Sequence, residues 1–222
     1  MEIKMKSKFY VLVWYVVGSI SKVLFRVKYH NPENEPTAEE GPYVIIANHI
    51  SNADPVFLCA GIKNQQPHYM AKKSLFKVPL LNKLVEALGA YPVNRGGIDV
   101  SAIKNSINML KSGKCVGIFP QGTREKGKTP MEADLKNGAA MIVTKANATV
   151  LPCCIKTKGN KFAFLRRVDV YYGKPIKFEE LSYNPENSGE YTRITELMFE
   201  RVCELYKNAE AEEEAKRAAK RK

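Results

Sequence analysis

A histidine and an aspartate five residues apart stand in the run Ala47-Asn48-His49-Ile50-Ser51-Asn52-Ala53-Asp54-Pro55. An imidazole supplies a general base near neutral pH, and a carboxylate beside it fixes the tautomer and steadies the protonated ring. On a helix this spacing puts the two side chains on opposite sides, so they meet only if the chain curls. Upstream, Tyr43-Val44-Ile45-Ile46-Ala47 reads as a buried strand; downstream, Asp54 suits a helix N-cap and Pro55 the first turn. The pair is therefore expected in a strand-to-helix loop, where α/β proteins keep their chemistry. Taken alone, it also reads as a capped helix beside an ordinary hydrogen-bonded histidine.

Two arginines offer a second kind of chemistry. Gly89-Ala90-Tyr91-Pro92-Val93-Asn94-Arg95-Gly96-Gly97 is a strand entering a glycine turn, and Cys115-Val116-Gly117-Ile118-Phe119-Pro120-Gln121-Gly122-Thr123-Arg124 repeats the plan. Guanidinium groups bind phosphate bidentately, and a Gly-Thr turn adds backbone and hydroxyl donors. Either arginine alone is an ordinary surface residue. Gly122 to Thr129 also fits the spacing G-x-x-x-x-G-K-T of a phosphate-binding P-loop. Pro130 follows at once, however, and lacks the N–H that a helix opening must offer to a phosphate. No G-x-S-x-G turn suggests an acyl-serine.

Strand-like stretches (43–47, 68–71, 90–93, 115–119, 149–156, 161–172) alternate with helix-like ones (55–62, 79–88, 99–111, 133–146, 191–209). This alternation predicts an α/β fold, with a mixed, largely parallel sheet flanked by helices. The expected organisation is an N-terminal hydrophobic helix (1–30), an acidic proline-bearing linker (31–42), the α/β body (43–209) and a charged, solvated tail (210–222).

Residues 9–17 are uninterrupted apolar sequence with Tyr10, Trp14 and Tyr15, flanked by Lys4, Lys6 and Lys8 and by Lys22, Arg26 and Lys28. A helix over 9–25 is roughly 25 Å long, short of the ~30 Å hydrocarbon core. Basic flanks and central aromatics predict a helix lying in the membrane interface. A secretory signal is the competitor, but no small-x-small cleavage site follows. The five cysteines, an odd number without C-x-x-C spacing, fit small core residues in a reducing compartment. A net charge of +12 calls for an anionic partner. No zinc-finger, basic-zipper or RNA-recognition pattern is present, which favours a membrane surface over nucleic acid.

The order Asn48-His49 to Asp54, Gly89 to Arg95, Phe119-Pro120-Gln121-Gly122-Thr123-Arg124 and Val150-Leu151-Pro152 resembles the glycerolipid acyltransferases, in particular their bacterial 1-acyl-glycerol-3-phosphate branch. The likeness runs over residues 43–157. It implies transfer of a fatty acyl group from acyl-CoA or acyl-carrier protein to the free hydroxyl of lysophosphatidic acid. His49 would be the base and Asp54 its orienting partner. Arg95, Gly122, Thr123 and Arg124 would hold the acceptor's phosphate, with Gln121 and Lys72 in the same acceptor site. A thioester is already activated, so neither metal nor cofactor is expected. The resemblance also implies a peripheral, monotopic enzyme on the cytoplasmic face of the cell membrane. Another lysophospholipid or glycerol 3-phosphate is the alternative acceptor, and a non-enzymatic membrane-surface, anion-binding module is the alternative class. Two positions depart from the family pattern. Gln121 stands where glutamate is commonest, which removes a charge, and Glu125 replaces a common serine and is positioned in sequence to offset Arg124.

Overall fold

The computed structural model describes residues 8–37, 39–94 and 99–220. Its centre is β2 (Tyr43–Ala47), buried along its whole length. Such a run shows no apolar–polar alternation because helices cover both faces of its sheet. Around it stand β1 (Lys28–His30), β3 (Pro67–Lys72), β4 (Tyr91–Val93), β5 (Cys115–Ile118), β6 (Thr149–Thr157) and β7 (Val168–Tyr172). The seven strands lie in the order β1-β7-β6-β2-β5-β3-β4. From β6 to β4 all neighbours are parallel; β7 runs antiparallel to β6, and β1 is parallel to β7. This is the mixed, largely parallel α/β architecture expected.

The period of two along β2 sorts its side chains between two cores. Val44 and Ile46 pack with α4 (Val100–Lys111), α5 (Gly138–Ala146) and α6 (Glu190–Ala219). Tyr43, Ile45 and Ala47 pack with Phe57 and Leu58 of α2 (Asp54–Gly61). Over α2 lies α1 (Lys8–Phe25), where Gly18 approaches so closely that an added Cβ would sit 3.7 Å from the Cβ of Ala60. Gly18 and Ser21, which interrupt the apolar run, thus face the body. Leu12, Tyr15, Val16, Ile20 and Val23 are exposed. A short α3 (Leu81–Ala87) touches α1. Among the described residues no helix is long and apolar enough to cross a membrane.

Four boundaries differ from the sequence expectations by more than two residues. β7 begins at Val168, and 161–167 form a loop whose Phe162 packs on Phe25 and Phe57, while Leu165 N–H donates to Leu24 O at 3.1 Å. Its apolar residues therefore dress the end of α1 instead of lengthening a strand. α5 begins at Gly138, because Pro130–Glu132 form only a 3₁₀ turn and Lys136 N–H goes to Pro120 O at 2.8 Å. β1 falls inside the expected helical segment. α6 continues to Ala219, and Glu213 in its last third pairs with Lys156 of β6 at 2.9 Å.

The 31–42 stretch is docked by one buried carboxylate. Glu35 accepts from the Tyr43 hydroxyl at 3.0 Å and from the Asn64 and Lys63 N–H groups at 2.7 and 2.8 Å.

Candidate active site

The parallel strands β2, β5, β3 and β4 all end on one edge of the sheet, and each described candidate site residue lies at or after one of those ends. β2 hands over to its loop through Asn48, whose amide donates to Ile155 O at 2.8 Å and accepts Ile155 N–H at 2.7 Å. The side chain thereby replaces a strand backbone opposite β6 and fixes the start of the turn.

The chain then curls as the His–Asp spacing requires. His49 Nδ1 lies 2.8 Å from Asp54 Oδ2, and the same oxygen accepts the Ile50 and Ser51 N–H groups at 2.6 and 2.7 Å. Ala53, not Asp54, is the N-cap of α2; Asp54 is its first helical residue, with Pro55 next. The expected cap is absent because the carboxylate reaches backward to the loop. An acceptor among three donors dictates that Nδ1 carries the proton, which leaves the lone pair on Nε2. Asp54 is wholly buried, and that burial pushes its carboxyl above the usual range against the pull of His49 and the two backbone N–H groups. Its Oδ1 is buried with no hydrogen-bond partner among the described residues.

The imidazole is held flat by Phe119, with ring centroids 4.2 Å apart and planes at 16°, and Phe119 stacks in turn on Tyr69 at 5.7 Å. His49 is buried, at 7 % exposed, and Phe119 beside it is half-buried.

β5 supplies the neighbouring loop. Gly122, at φ +66, takes the left-handed conformation that a turn back onto Phe119 O requires. Thr123 and Arg124 follow, both exposed, and Arg124 makes no ion pair among the described residues. Glu125 does not offset Arg124: its carboxylate faces Gln121 Nε2 at 2.6 Å and Lys128 at 3.9 Å. Gln121 is buried, and its Oε1 accepts His49 N–H at 2.5 Å.

Adjacent strands are about 4.8 Å apart. The Gly122-Thr123-Arg124 turn is thus one strand from His49, and Lys72, exposed at the end of β3, is two. Arg95 lies outside the described residues. Among the described residues nearest to it, Asn94 N–H donates to Asp99 Oδ2 at 2.7 Å. Asp99 also caps α4 and is held at about 2 by the Ser101 hydroxyl and by backbone donors.

The geometry speaks against two other chemistries. Thr129, the last residue of the P-loop-like stretch, spends its hydroxyl on Glu132 at 2.8 Å, and a 3₁₀ turn follows instead of a helix. Cys115, Cys153 and Cys154 are fully buried, which pushes their thiols up and away from the thiolate form. Three contributors escaped the sequence reading of roles: Asn48, Phe119 and Glu125. The first two lie within the motifs, but their partners, Ile155 on β6 and His49 in the loop after β2, are distant from them in sequence.

Similarity to known proteins covers most of the chain. The acyltransferase family profile matches residues 26–156. The 1-acyl-sn-glycerol-3-phosphate acyltransferase of Bacillus subtilis (strain 168) is 33% identical over 181 residues, covering 81% of this chain and 87% of that protein. The enzyme of the same name from Streptococcus pneumoniae is 30% identical over 200 residues, covering 87% and 70%. The fold is shared with the crystal structure of the 1-acyl-sn-glycerophosphate (LPA) acyltransferase PlsC from Thermotoga maritima, with a TM-score of 0.70 at 24% identity, over 94% of this chain and 84% of that one. The family match takes in His49, Asp54 and the Gly122-Thr123-Arg124 turn together, and this chain therefore belongs to the acyltransferase family and is an enzyme of that class.

Proposed function

We propose that this enzyme moves a fatty acyl group from acyl-CoA or acyl-carrier protein to the free hydroxyl of 1-acyl-glycerol 3-phosphate, giving phosphatidic acid for phospholipid synthesis. The observation that carries the proposal is the His49–Asp54 pair, one strand away from Arg124, which makes no ion pair among the described residues. The curated relatives bear the name of this reaction.

The acceptor hydroxyl gives its proton to Nε2 as its oxygen attacks the thioester carbonyl. Asp54 steadies the imidazolium so formed. The tetrahedral centre collapses, the C–S bond breaks, and the thiolate takes the proton back from Nε2. Arg124, Thr123 and the Gly122 turn, with Arg95 and Lys72 as further cations, hold the phosphate of the acceptor. Base catalysis of this kind contributes about 10²–10⁴-fold, and positioning contributes the rest.

The exposed face of α1, with Leu12, Tyr15, Val16, Ile20 and Val23, is proposed to lie in the membrane interface, where the acceptor resides. Free cysteines throughout fit the reducing, cytoplasmic side.

The test is acyl transfer to lysophosphatidic acid with both thioester donors. Wild type is expected to form phosphatidic acid, and His49→Ala to lose about 10²–10⁴-fold in kcat while keeping its fold. Turnover by His49→Ala at the wild-type rate would remove the base from the mechanism. Wild type that is folded yet accepts only glycerol 3-phosphate or another lysophospholipid would reassign the acceptor.

A further inference from the structure

The backbone of His49 is gripped on both sides by two residues that carry no assigned role in positioning it. Past the last β2–β5 pair, Ile46 with Ile118, no ladder serves the His49 peptide groups. Gln121 Oε1 accepts His49 N–H at 2.5 Å, and Glu125 N–H donates to His49 O at 2.8 Å. The two grips are joined, since Gln121 Nε2 donates to Glu125 Oε2 at 2.6 Å. Gln121 is 4% exposed, so both of its polar ends are committed to protein partners.

The chemistry of this ring is polar and directional. One end of residue 121 must accept, because His49 N–H is an obligatory donor. The other end must donate, because it meets a carboxylate. A glutamine offers one of each. A glutamate there would set two carboxylates at hydrogen-bond distance in a buried place, where both cannot ionise.

We propose that Gln121 and Glu125 are paired positioning residues that set the imidazole of His49 through its own backbone, with residue 121 outside the phosphate site. The pair works by polarity matching: one amide and one carboxylate, in either order. The proposal rests on His49 being the reacting base, so its test includes a readout independent of the acceptor.

Gln121→Glu, Glu125→Ala and the double variant Gln121→Glu/Glu125→Gln are compared with wild type. Kinetics use whichever acceptor wild type turns over. Proton NMR follows the downfield resonance of the His49 Nδ1 proton shared with Asp54, assigned by its loss in His49→Ala. Gln121→Glu is expected to lower kcat by about tenfold to a hundredfold, the scale of a misplaced reacting group, with acceptor KM nearly unchanged. Its downfield resonance is expected to weaken. The double variant is expected to restore both kcat and resonance. Glu125→Ala, which creates no repulsion, is expected to lower kcat without moving KM.

A Gln121→Glu variant as active as wild type overturns the proposal. So does a double variant no better than Gln121→Glu, or a rise in acceptor KM that Glu125→Gln does not correct, which would return Gln121 to the phosphate site. If Gln121→Glu fails to fold, Glu125→Ala decides by the same two readouts. If wild type acylates no acceptor, the proposed reaction fails, and the NMR comparison alone decides whether the clamp holds.

Discussion

At the scale of residues, the geometry around Asp54 bears directly on the role proposed for the aspartate. Three N–H groups converge on Oδ2, two from the backbone and one from the imidazole. The backbone pair would bind a neutral amide oxygen almost as well; the imidazolium would not be steadied by one. Asp54→Asn is therefore expected to keep the loop and the fold while kcat falls by about 10²–10⁴-fold, with acceptor KM little changed. Steady-state kinetics beside a thermal melt check this, and a variant that melts normally and turns over at the wild-type rate would make Asp54 a purely structural residue. The pair was legible in the sequence because its two members are neighbours in the chain. Asn48 and Phe119 were not, since their tasks are defined by Ile155 on β6 and by His49 across β5, and no local pattern records such partners.

At the scale of elements, legibility followed burial. β2, β5 and β6 were readable from their apolar runs because both faces of the sheet are covered. The stretch 161–167 is as apolar in part, yet it covers α1 and α2, a task that composition cannot separate from strand formation. β1 has only three residues, Lys28–His30, and is a strand because β7 lies beside it. The stretch expected as a charged, solvated tail continues α6 to Ala219, and its pairs Glu212–Lys216 and Glu213–Arg217 have the four-residue spacing that supports a helix.

The helix α1 carries the element-scale prediction. Its buried side uses Gly18 and Ser21, and Leu12, Tyr15, Val16, Ile20 and Val23 are left exposed. Val23, at 74% exposed, and Ile20, at 49%, contribute little to the folded body but would be buried in a lipid interface. Burying a side chain of this size is worth about 1.5–3 kcal/mol. Val23→Glu and Ile20→Glu are thus expected to weaken partition onto lipid vesicles by about tenfold or more, with the melting temperature unmoved. Undiminished vesicle binding in a cosedimentation assay would place the membrane contact elsewhere.

At the scale of the whole molecule, charge and apolar exposure coincide. The net charge is +12, and exposed cations lie close in the chain to exposed apolar side chains: Lys22 and Arg26 with Val23, and Lys73, Lys77 and Lys83 with Leu75, Val78, Leu80 and Leu84. The two groups are joined where α1 meets α3, and the loop bearing Phe164 and Leu165 is tied to the end of α1. A surface of this kind has two separable attractions to a bilayer. The apolar part is indifferent to salt, whereas the cationic part acts over a Debye length that shrinks from about 10 Å at 0.1 M salt to about 3 Å at 1 M. Binding to vesicles rich in anionic phospholipid is therefore expected to weaken steeply over that range, down to the salt-insensitive level found with zwitterionic vesicles. Under the proposed mechanism, acyl transfer to a short-chain, monomeric lysophosphatidic acid needs only local contacts with the phosphate and is expected to lose much less. If salt left anionic-vesicle binding untouched, the net charge would have no part in docking and α1 alone would carry it. If salt abolished turnover of the monomeric acceptor as steeply as vesicle binding, the cations would serve the acceptor's phosphate more than the membrane.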